Sequence, residues 1–408
     1  MEAIIMAGGR GTRIESLQTD VPKPMMEICG KSILEHQIDC LKLQGITDIT
    51  IVIGYRGDVI KNYFADSVKY IEEHSPLGTA GALFYLKGKM KDDFILINGD
   101  IVFDVNFEGM IEVHKKSGAK ATVFTHPNSH PYDSGLLRCN KNGQVIAWYA
   151  KEDERPMWCK NITNAGIHIL SPEILEKFES PIKMDLDRDV LKPLIMQGGL
   201  YLYHSSEYVH DMGTPERFRQ AEADIKKGIV REKNLRYKQK AIFIDRDGTI
   251  NKYVGFLKDI NQFELIDGVA EIIKKINKSG YLAICVTNQP VIARGEVTFS
   301  GLDDIHAKME TLLGEKGAYL DDIFVCPHHP DTGYVGEIKE LKFVCECRKP
   351  NIGMFIRAIE KYNIDIKKSI MVGDSETDRL AGEQVGCSLY FTSLLDLALW
   401  LKEEENAI

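Results

Sequence analysis

Two short apolar runs in this chain each end in a loop suited to handling phosphate. The first run, Ala3-Ile4-Ile5-Met6, leads into the glycine-rich stretch Ala7-Gly8-Gly9-Arg10-Gly11-Thr12-Arg13. The second run, Ala241-Ile242-Phe243-Ile244, leads into Asp245-Arg246-Asp247-Gly248-Thr249. A strand that ends in such a loop is the usual start of an open α/β domain. The chain is therefore predicted to carry two α/β domains, each with its own phosphate-handling site.

The length of 408 residues is large for a single hydrophobic core and also predicts more than one domain. Strand and helix signals alternate in the first part, and a new alternating pattern starts at Ala241. The stretch 226–240 is rich in Lys and Arg and poor in large apolar residues, which is typical of a connector. We expect a Rossmann-like first domain with a mixed sheet over 1–230, a linker over 231–240, and a Rossmann-like second domain over 241–408.

Composition and charge exclude several classes of function. The formal net charge of −9 argues against a general nucleic-acid binder. No apolar run approaches the length of a membrane span, and the N-terminus enters a strand without a signal-peptide pattern, so a cytoplasmic enzyme is expected. The nine cysteines form no disulfide framework, and clustered cysteines in the cytosol suggest a metal.

The first loop combines glycines with nearby positive charge. Gly8, Gly9 and Gly11 allow the backbone to approach a triphosphate with its N–H groups directed at the oxygens. Arg13 and Lys23 supply charge that can follow the charge developing on the phosphates and on a departing pyrophosphate. A glycine-rich turn alone would more often be structural, so the prediction depends on its combination with the lysine and with carboxylates further along.

Two carboxylates are candidates for a Mg²⁺ site in the first domain. Asp100 ends the strand predicted at 94–97, where a carboxylate can hold a divalent cation at the carboxyl edge of a sheet. Asp211 stands at a second junction between a strand and a helix. Together the two could clamp an α-phosphate through Mg²⁺. The alternative for Asp211 is a helix N-cap.

Six motifs in order over about residues 1–230 resemble the sugar-1-phosphate nucleotidyltransferases. They are Gly8-Gly9-Arg10-Gly11-Thr12-Arg13, Pro22-Lys23-Pro24, Leu77-Gly78-Thr79-Ala80-Gly81, Asn98-Gly99-Asp100, Asn164-Ala165-Gly166 and Asp211-Met212-Gly213-Thr214-Pro215. The opening loop is closer to the guanylyl- and mannose-type branch than to the thymidylyl branch. The resemblance implies that Lys23 and Arg13 act on the triphosphate and that Asp100 and Asp211 bind Mg²⁺.

The same resemblance implies contacts for the nucleotide and the sugar. The residues expected at the nucleotide are Gly8, Gly9, Gly11, Thr12 and Gly78, the last of these near the base. Lys151 and Asn164 are expected near the sugar phosphate. The family often has Glu-Lys where this chain has Ala150-Lys151, so a carboxylate contact to the sugar is either absent or supplied by Glu152.

The second loop places two carboxylates two residues apart at the end of a strand. Asp245 is positioned to attack a phosphorus atom, and Asp247 can protonate the leaving oxygen and then activate water. Because these anions repel a phosphate, a cation and a lysine are required. Asp374 follows the strand predicted at 369–372 and can bind Mg²⁺ together with Asp245 and Asp247, while Lys349 can neutralise the phosphate.

A cysteine and histidine cluster follows in the second domain. Cys326-Pro327-His328-His329-Pro330 is separated by a loop from Cys345-Glu346-Cys347. Cys326, His328, Cys345 and Cys347 would form a closed tetrahedral zinc site, whereas the alternative is a redox pair or unpaired buried thiols. With four protein ligands the zinc would be structural and would fix the loop that carries Arg348 and Lys349.

These features look like the haloacid dehalogenase superfamily, without a large cap domain. The stretch Asp245 to Asn251, Thr287-Asn288-Gln289, Ile292-Ala293-Arg294-Gly295 and the two cysteine motifs further resemble the D-glycero-D-manno-heptose 1,7-bisphosphate phosphatases, with histidinol phosphatases as close relatives. The sequence departs from the family at Pro290-Val291, where Ser-Gly is usual. Residues expected to contact sugar or phosphate are Thr287, Asn288, Arg294 and Arg348.

The two resemblances fit one another chemically. A heptose bisphosphate phosphatase yields a heptose 1-phosphate, and a sugar-1-phosphate nucleotidyltransferase consumes one. They imply a bifunctional Mg²⁺- and Zn²⁺-containing enzyme that makes GDP-D-glycero-α-D-manno-heptose for a bacterial surface glycan, such as lipopolysaccharide or capsule. Small-molecule substrates are the expected partners, and a homo-oligomer is compatible with the sequence.

Three alternatives stay open on sequence grounds. The first keeps both activities with another sugar or base, as in ADP-heptose or GDP-mannose. The second is a histidinol-phosphatase-like domain fused to a sugar nucleotidyltransferase. The third is a binding or regulatory protein with inactive sites, which the intact Lys23, Asp100, Asp245, Asp247 and Asp374 argue against.

Overall fold

The computed structural model describes residues 1–9 and 21–407, with 404–407 described by backbone alone. It divides into two compact units. The first comprises Met1–His126, Leu137–Trp148 and Asn164–Asn234, and the second comprises Pro127–Leu136, Tyr149–Thr163 and Leu235–Ile408. None of the helices in the described part of the chain has the length and apolar character to cross a membrane.

The first unit is built on thirteen strands and six α-helices within its described residues. The strands are β1 (Ala3–Ala7), β2 (Glu27–Ile28), β3 (Lys31–Ser32), β4 (Ile49–Ile53), β5 (Lys69–Glu72), β6 (Phe94–Asn98), β7 (Ile101–Asp104), β8 (Ala121–His126), β9 (Leu136–Cys139), β10 (Val145–Tyr149), β11 (Thr163–Leu170), β12 (Leu200–His204) and β13 (Tyr208–Asp211). The helices are α1 (Ile33–Lys42), α2 (Gly57–Phe64), α3 (Phe107–Ser117), α4 (Lys192–Met196), α5 (Pro215–Lys226) and α6 (Ile229–Glu232).

The central sheet of this unit is mixed, as the sequence predicted. Seven of its nine strands follow the order β10-β9-β11-β6-β1-β4-β5, and β8 pairs with both β11 and β12. The β1, β4, β5 and β6 strands are parallel, whereas β11 runs antiparallel to β6. Because β1 and β6 are neighbours and parallel, the loops that follow them open at the same edge of the sheet.

Local sequence explains several of these elements. The β4 strand is buried along its whole length, as expected for an apolar run in the middle of a parallel sheet. Helix α1 begins after Ser32, whose hydroxyl accepts from the Glu35 N–H while the Glu35 carboxylate accepts from the Ser32 N–H. Thr214 caps α5, and the stretch predicted as a connector contains α6.

The second unit contains a five-stranded parallel sheet. Its strands are β14 (Lys240–Ile244), β15 (Tyr281–Asn288), β16 (Asp322–Cys326), β17 (Ile370–Val372) and β18 (Leu389–Phe391). Its helices are α7 (Val269–Lys278), α8 (Pro290–Ala293), α9 (Phe299–Glu315), α10 (Gly353–Tyr362), α11 (Glu376–Val385) and α12 (Leu394–Ala407).

The strand order β16-β15-β14-β17-β18 places the first strand at the centre of this sheet. All four pairings are parallel. The two faces are covered by separate apolar clusters that contain Ile242 and Phe243 respectively, since neighbouring residues of a strand point to opposite faces. The chain reverses direction across the sheet at β14, and ligands bind at such a switch point in open α/β sheets.

Two short segments pack against α9 within the second unit. The Tyr132 hydroxyl donates to the Thr311 carbonyl at 2.9 Å, and the Cys159 N–H donates to the Thr311 hydroxyl at 2.9 Å. Lys160 Nζ lies 2.8 Å from the Asp303 carboxylate. This unit is therefore built from three separate stretches of the sequence.

Candidate active sites

In the first unit, a cavity of about 630 Å³ lies at the carboxyl ends of β1 and β6. Gly8 and Gly9 line it after β1, and Asn98 and Asp100 line it after β6. Gly78, the glycine predicted near the base, also lines it. A cavity of this size at this edge of the sheet suits a nucleotide.

Lys23 and Asp100 form an ion pair in this cavity. Lys23 Nζ lies 2.6 Å from Asp100 Oδ2, and the lysine is 8% exposed. The short 3₁₀ turn Lys23–Met25 fixes the lysine backbone, and the proline that follows it reinforces the turn. The structure thus brings together the predicted phosphate-binding lysine and one predicted Mg²⁺ ligand. The predicted Gly11, Thr12 and Arg13 lie outside the described residues.

Asp211 is the partner proposed for Asp100, and it stands on the adjacent strand. Strand β13 pairs with β7 so that Asp211 is opposite Ile101, and the Met212 N–H donates to the Asp100 carbonyl. Burial alone would raise the pKa of Asp211, but the guanidinium of Arg217, 2.8 Å away, keeps the pKa below its usual value. The carboxylate is therefore charged and already paired with one cation.

Glu73 is a cavity residue that the sequence did not single out. Its carboxylate packs against Gly8, where a Cβ would come within 2.3 Å of Oε1, and against Gly54. Burial raises its pKa, although a hydrogen bond from the Leu77 N–H acts in the opposite direction. The absence of side chains at the two glycines thus leaves room for a carboxylate inside the cavity.

Asn164 and Lys151, the residues predicted near the sugar phosphate, differ in their surroundings. Asn164 Nδ2 donates to Asp187 Oδ1 at 3.2 Å, and burial raises the pKa of Asp187 to about 7. Lys151 is exposed, and its Nζ lies 3.6 Å from the Asp133 carboxylate in the second unit. Glu152 is exposed as well.

In the second unit, Asp245 follows β14 directly and is held from two sides. Its N–H donates to the Val372 carbonyl of β17, and its Oδ1 lies 2.6 Å from Lys349 Nζ. Burial raises the pKa of Asp245 to about 6 against the opposing charge of Lys349. The pKa of Lys349 is raised, because the carboxylates of Asp245 and Asp378 outweigh its burial.

Three carboxylates converge beside this lysine. Ligand oxygens of Asp245, Asp374 and Asp378 lie within 4.8 Å of one another, which fits the oxygen ligands of a hard divalent cation. Asp378 Oδ1 also lies 2.5 Å from Lys349 Nζ. At Gly248 a Cβ would come within 2.0 Å of Asp374 Oδ2, so a side chain there would displace this carboxylate.

Asp247 is held by a buried network. Arg246 is fully buried, and its Nη2 donates to both carboxylate oxygens of Asp247 at 2.9 and 2.8 Å. Gln289 and Asn251 donate to the same carboxylate. Arg246 Nη1 lies 3.2 Å from His306 Nε2. Because arginine has only donors, His306 must be neutral and accept through Nε2, and burial lowers its pKa well below the usual value.

The remaining predicted phosphate contacts surround the same pocket of about 230 Å³. Thr287, Asn288 and Arg348 line it together with the carboxylates described above. The amide of Asn288 exchanges two hydrogen bonds with the backbone of Lys349, so it fixes the lysine rather than offering free donors. Arg294 contacts Phe256, which lines the pocket.

The four predicted zinc ligands form one cluster. Cys326, His328, Cys345 and Cys347 place their ligand atoms within 4.8 Å of one another. The Cys347–Cys326 sulfur distance is 3.1 Å, and His328 Nδ1 lies 3.2 Å from Cys347 Sγ. The three sulfur atoms and the imidazole nitrogen thus lie close enough together to bind one metal ion, as a tetrahedral site requires.

Comparison with known proteins identifies both units. The nucleotidyl transferase family model matches residues 2–228, and a HAD-hydrolase-like model matches residues 346–392. A D-glycero-beta-D-manno-heptose-1,7-bisphosphate 7-phosphatase of Escherichia coli O6:H1 is 43% identical over 141 residues, which are 35% of this chain and 72% of that protein. The chain belongs to the nucleotidyl transferase and heptose bisphosphate phosphatase families.

Two further proteins are similar to parts of this chain. Mannose-1-phosphate guanylyltransferase of Mycobacterium tuberculosis is 26% identical over 245 residues, covering 58% of this chain and 67% of that protein. The crystal structure of D,D-heptose 1,7-bisphosphate phosphatase from B. bronchiseptica, complexed with magnesium and phosphate, is 33% identical. The match covers 38% of this chain and 80% of the phosphatase chain, with a TM-score of 0.34.

The structure adds residues to both the transferase and the phosphatase units that sequence reasoning missed. Asp378 could have been found, because it follows Asp374 by four residues and Ser375 opens a capping box with it. Arg246 lies between the two aspartates of the second phosphate-handling loop, but only the packed structure reveals its buried partner His306. Glu73 carries no local sequence signal, since its role depends on the glycines it faces.

Proposed function

We propose that this chain is a bifunctional enzyme that makes a nucleotide-activated heptose. The phosphatase unit would remove the 7-phosphate of D-glycero-D-manno-heptose 1,7-bisphosphate. The nucleotidyltransferase unit would then transfer GMP from GTP to heptose 1-phosphate, giving GDP-heptose and pyrophosphate. The observation that carries the proposal is the joining, in one chain, of a phosphatase family and a transferase family whose product and substrate coincide.

Phosphate removal would proceed through Asp245. Its carboxylate oxygen attacks the phosphorus of the 7-phosphate, the bond from phosphorus to the sugar oxygen breaks, and Asp247 supplies a proton to that oxygen. Asp247 then takes a proton from water, which attacks the aspartyl phosphate and releases inorganic phosphate. Lys349, 2.6 Å from Asp245, neutralises charge throughout.

The carboxylate groups of Asp245, Asp374 and Asp378 suit Mg²⁺, and Asp247 stays a predicted ligand beside them. In the first unit, Asp100 and Asp211 are the proposed Mg²⁺ ligands. When bound, the metal would supply positive charge that offsets repulsion between carboxylates and phosphate. The side chains of Asp100 and Asp211 already lie near Lys23 and Arg217, which hold them in place.

We propose Zn²⁺ for the four-ligand cluster, in a structural role. Three thiols and an imidazole whose ligand atoms converge match a closed Cys₃His site. The cluster directly precedes Arg348 and Lys349 in the chain, and Arg348 Nη1 donates to the His328 carbonyl. Zinc would therefore fix the loop from which the catalytic lysine reaches Asp245.

Nucleotidyl transfer would take place in the cavity of the first unit. An oxygen of the sugar 1-phosphate attacks the α-phosphorus of GTP, the bond between the α- and β-phosphates breaks, and pyrophosphate leaves. Lys23 would stabilise the charge that accumulates on the phosphates. Its pairing with Asp100 keeps the ammonium inside the cavity before substrate arrives.

Glu73 supports guanine as the base. A carboxylate accepts hydrogen bonds only, and guanine presents two donors on its Watson–Crick edge where adenine presents one donor and one acceptor. Glu73 is half-buried, so a base that turns an acceptor towards its carboxylate is disfavoured relative to one that offers a donor. We expect Glu73→Gln to reduce the preference for GTP over ATP by roughly 10-fold or more, whereas an unchanged preference would rule out this role.

Incubation with heptose 1,7-bisphosphate and each of GTP, ATP, CTP and UTP tests the proposed function. Products would be identified by mass spectrometry, with Asp245→Asn and Lys23→Ala as controls. We expect inorganic phosphate in all four reactions and a nucleotide-heptose with GTP. Release of phosphate from histidinol phosphate but not from heptose bisphosphate would refute the proposal.

A further inference from the structure

Arg294 is a buried cation without an anionic partner in the part of the chain that the structure describes. It follows α8 and is 7% exposed. No described carboxylate lies within ion-pair distance of its guanidinium, and its buried Nε has no acceptor. Removing a charged group from water without a partner is costly. The surroundings of Arg294 therefore favour an anion as its ligand.

Two aromatic rings hold this guanidinium in place. Its central carbon lies 4.0 Å from the ring centroid of Phe256 and 4.6 Å from that of Tyr334. Ring faces attract the charge but accept no strong hydrogen bonds from the N–H groups, so the donors stay available. Because the rings fix the plane of the guanidinium, little entropy is lost when it binds a planar pair of oxygens.

Two charged side chains close to Arg294 or to Tyr334 are already matched, whereas Arg348, which repels Arg294 and lines the pocket, adds positive charge. Lys342 also stacks on Tyr334, but its ammonium donates to the Asp331 carbonyl at 2.6 Å and lies 3.5 Å from Glu337. Glu296, two residues after Arg294, is paired with Lys258 at 2.8 Å. Of the two described cations that stack on Tyr334, Lys342 has a carboxylate partner and Arg294 does not.

The position of Arg294 connects it with the phosphatase pocket. Phe256 lines that pocket together with Arg348 and Asp245, and the same Phe256 stacks on Arg294. A substrate with one phosphate at Asp245 would extend along this wall. We propose that Arg294, held by Phe256 and Tyr334, binds the second phosphate of the substrate, the one that is not hydrolysed. This inference rests on the proposed bisphosphate substrate.

A comparison of two substrates separates this role from a purely structural one. The kcat/KM values for heptose 1,7-bisphosphate and for heptose 7-phosphate would be measured with wild type, Arg294→Met and Arg294→Lys. We expect the kcat/KM for the bisphosphate divided by that for the monophosphate to fall by roughly 10²-fold in Arg294→Met. Methionine keeps the apolar part of the side chain but loses the charged donors. Arg294→Lys should give an intermediate ratio, because an ammonium keeps the charge but not the paired donors.

Arg357→Met is the matched control. Arg357 also stacks on an aromatic ring in this unit, Phe324 at 5.8 Å, but it is exposed and lies outside the pocket. Its substrate ratio should equal that of the wild type. Equal losses on both substrates in Arg294→Met would overturn the proposal. If that variant does not fold, the ratio of Arg294→Lys decides in the same way.

The experiment also distinguishes failure of this inference from failure of the proposed function. A wild-type enzyme that does not hydrolyse heptose 1,7-bisphosphate would refute the proposed function. The same ratio would then be measured with fructose 1,6-bisphosphate and fructose 6-phosphate. A wild-type preference for the bisphosphate that Arg294→Met abolishes would support the second-phosphate site, and the absence of any preference would refute it.

Discussion

At the scale of single residues, the Asp247 carboxylate is fixed by a buried neighbour rather than by solvent. Arg246, Gln289 and Asn251 all donate to it, and His306 accepts from Arg246 on the far side. His306 is not among the residues that line the phosphatase pocket, and it reaches Asp247 only through Arg246. It therefore acts by positioning Arg246. Only the neutral ring of His306 can accept a hydrogen bond from Arg246. The ring is kept neutral by burial and by the positive charges of Arg246 and Lys160, which all disfavour a second proton on it.

Replacing His306 tests this arrangement. His306→Leu leaves Arg246 Nη1 without an acceptor, so we expect phosphatase kcat to fall roughly 10-fold, with KM little changed. His306→Gln supplies a neutral acceptor and should restore most of kcat. Steady-state kinetics with Asp304→Asn, at an exposed position on the same helix, is the control. A His306→Gln enzyme as slow as His306→Leu would contradict the positioning role.

A second buried imidazole predicts how stability changes with pH. His168 in β11 is fully buried, and burial lowers its pKa to about 4, although a hydrogen bond with the Leu96 backbone acts in the opposite direction. Between pH 6.5 and 4 the unfolded state binds a proton that the folded state does not. Stability therefore falls as pH decreases through this window, by up to about 3 kcal/mol. His168→Leu should lose less stability over the same range in denaturant titrations, and a parallel loss would contradict the assignment.

Sequence predicted the residues whose chemistry follows from local position. Asp245 and Asp374 each follow a strand, and Lys349 follows a short cysteine motif, so each has a signal within a few residues. His306 and Glu73 have no such signal. Their roles depend on a buried arginine and on glycines far away in the chain, which only the packed structure brings together.

At the scale of elements, long apolar strands were predicted well and short polar ones were not. The β6 strand occupies 94–98 where 94–97 was predicted, because a buried strand is a continuous apolar run. The π-helix Leu186–Leu191 and helix α6 are short, and both contain several charged residues. Their conformation is set by packing and capping, as where the Asp185 side chain accepts from the Arg188 N–H, rather than by periodicity.

The loop with the cysteine cluster tests the proposed zinc site. Cys345→Ser should remove about one equivalent of zinc, lower the melting temperature of the second unit and weaken phosphatase activity, because the loop that carries Lys349 loses its anchor. Metal analysis and calorimetry measure these effects. Cys285→Ser, which alters a buried thiol outside the cluster, is the control for zinc content. Absence of zinc from freshly purified wild-type protein would refute the proposed zinc site.

At the scale of the whole molecule, the two activities should be separable. Asp245→Asn removes the proposed nucleophile of the phosphatase, so phosphate release should fall by several orders of magnitude while pyrophosphate formation from supplied heptose 1-phosphate persists. Lys23→Ala should lower pyrophosphate formation by roughly 10²-fold and spare phosphate release. Parallel assays of both products measure this, and equal damage to both activities by either change would refute the assignment.

The order of the two reactions follows from charge. Among the described residues that line the first cavity, Lys23 is the single lysine and no arginine is present, and both Lys23 and the predicted Arg13 are expected to contact the triphosphate. We therefore expect a 7-phosphate to lack a partner there. The Asp245→Asn enzyme, given heptose 1,7-bisphosphate, GTP and Mg²⁺, should therefore form almost no pyrophosphate. Addition of a separate heptose bisphosphatase should restore it. Equal rates with the bisphosphate and the monophosphate would contradict this order.

The discontinuous second unit has a consequence for synthesis on the ribosome. The segments Pro127–Leu136 and Tyr149–Thr163 emerge long before α9, whose Thr311 and Asp303 they contact. At 5–20 residues per second, the delay is on the order of ten seconds. Trp158, whose ring centroid lies 5.4 Å from Lys308 Nζ in the folded protein, and Cys159 would spend that interval without their neighbours on the helix. A nascent chain stalled before α9 should therefore be cleaved by protease in these two segments, and a completed chain should resist.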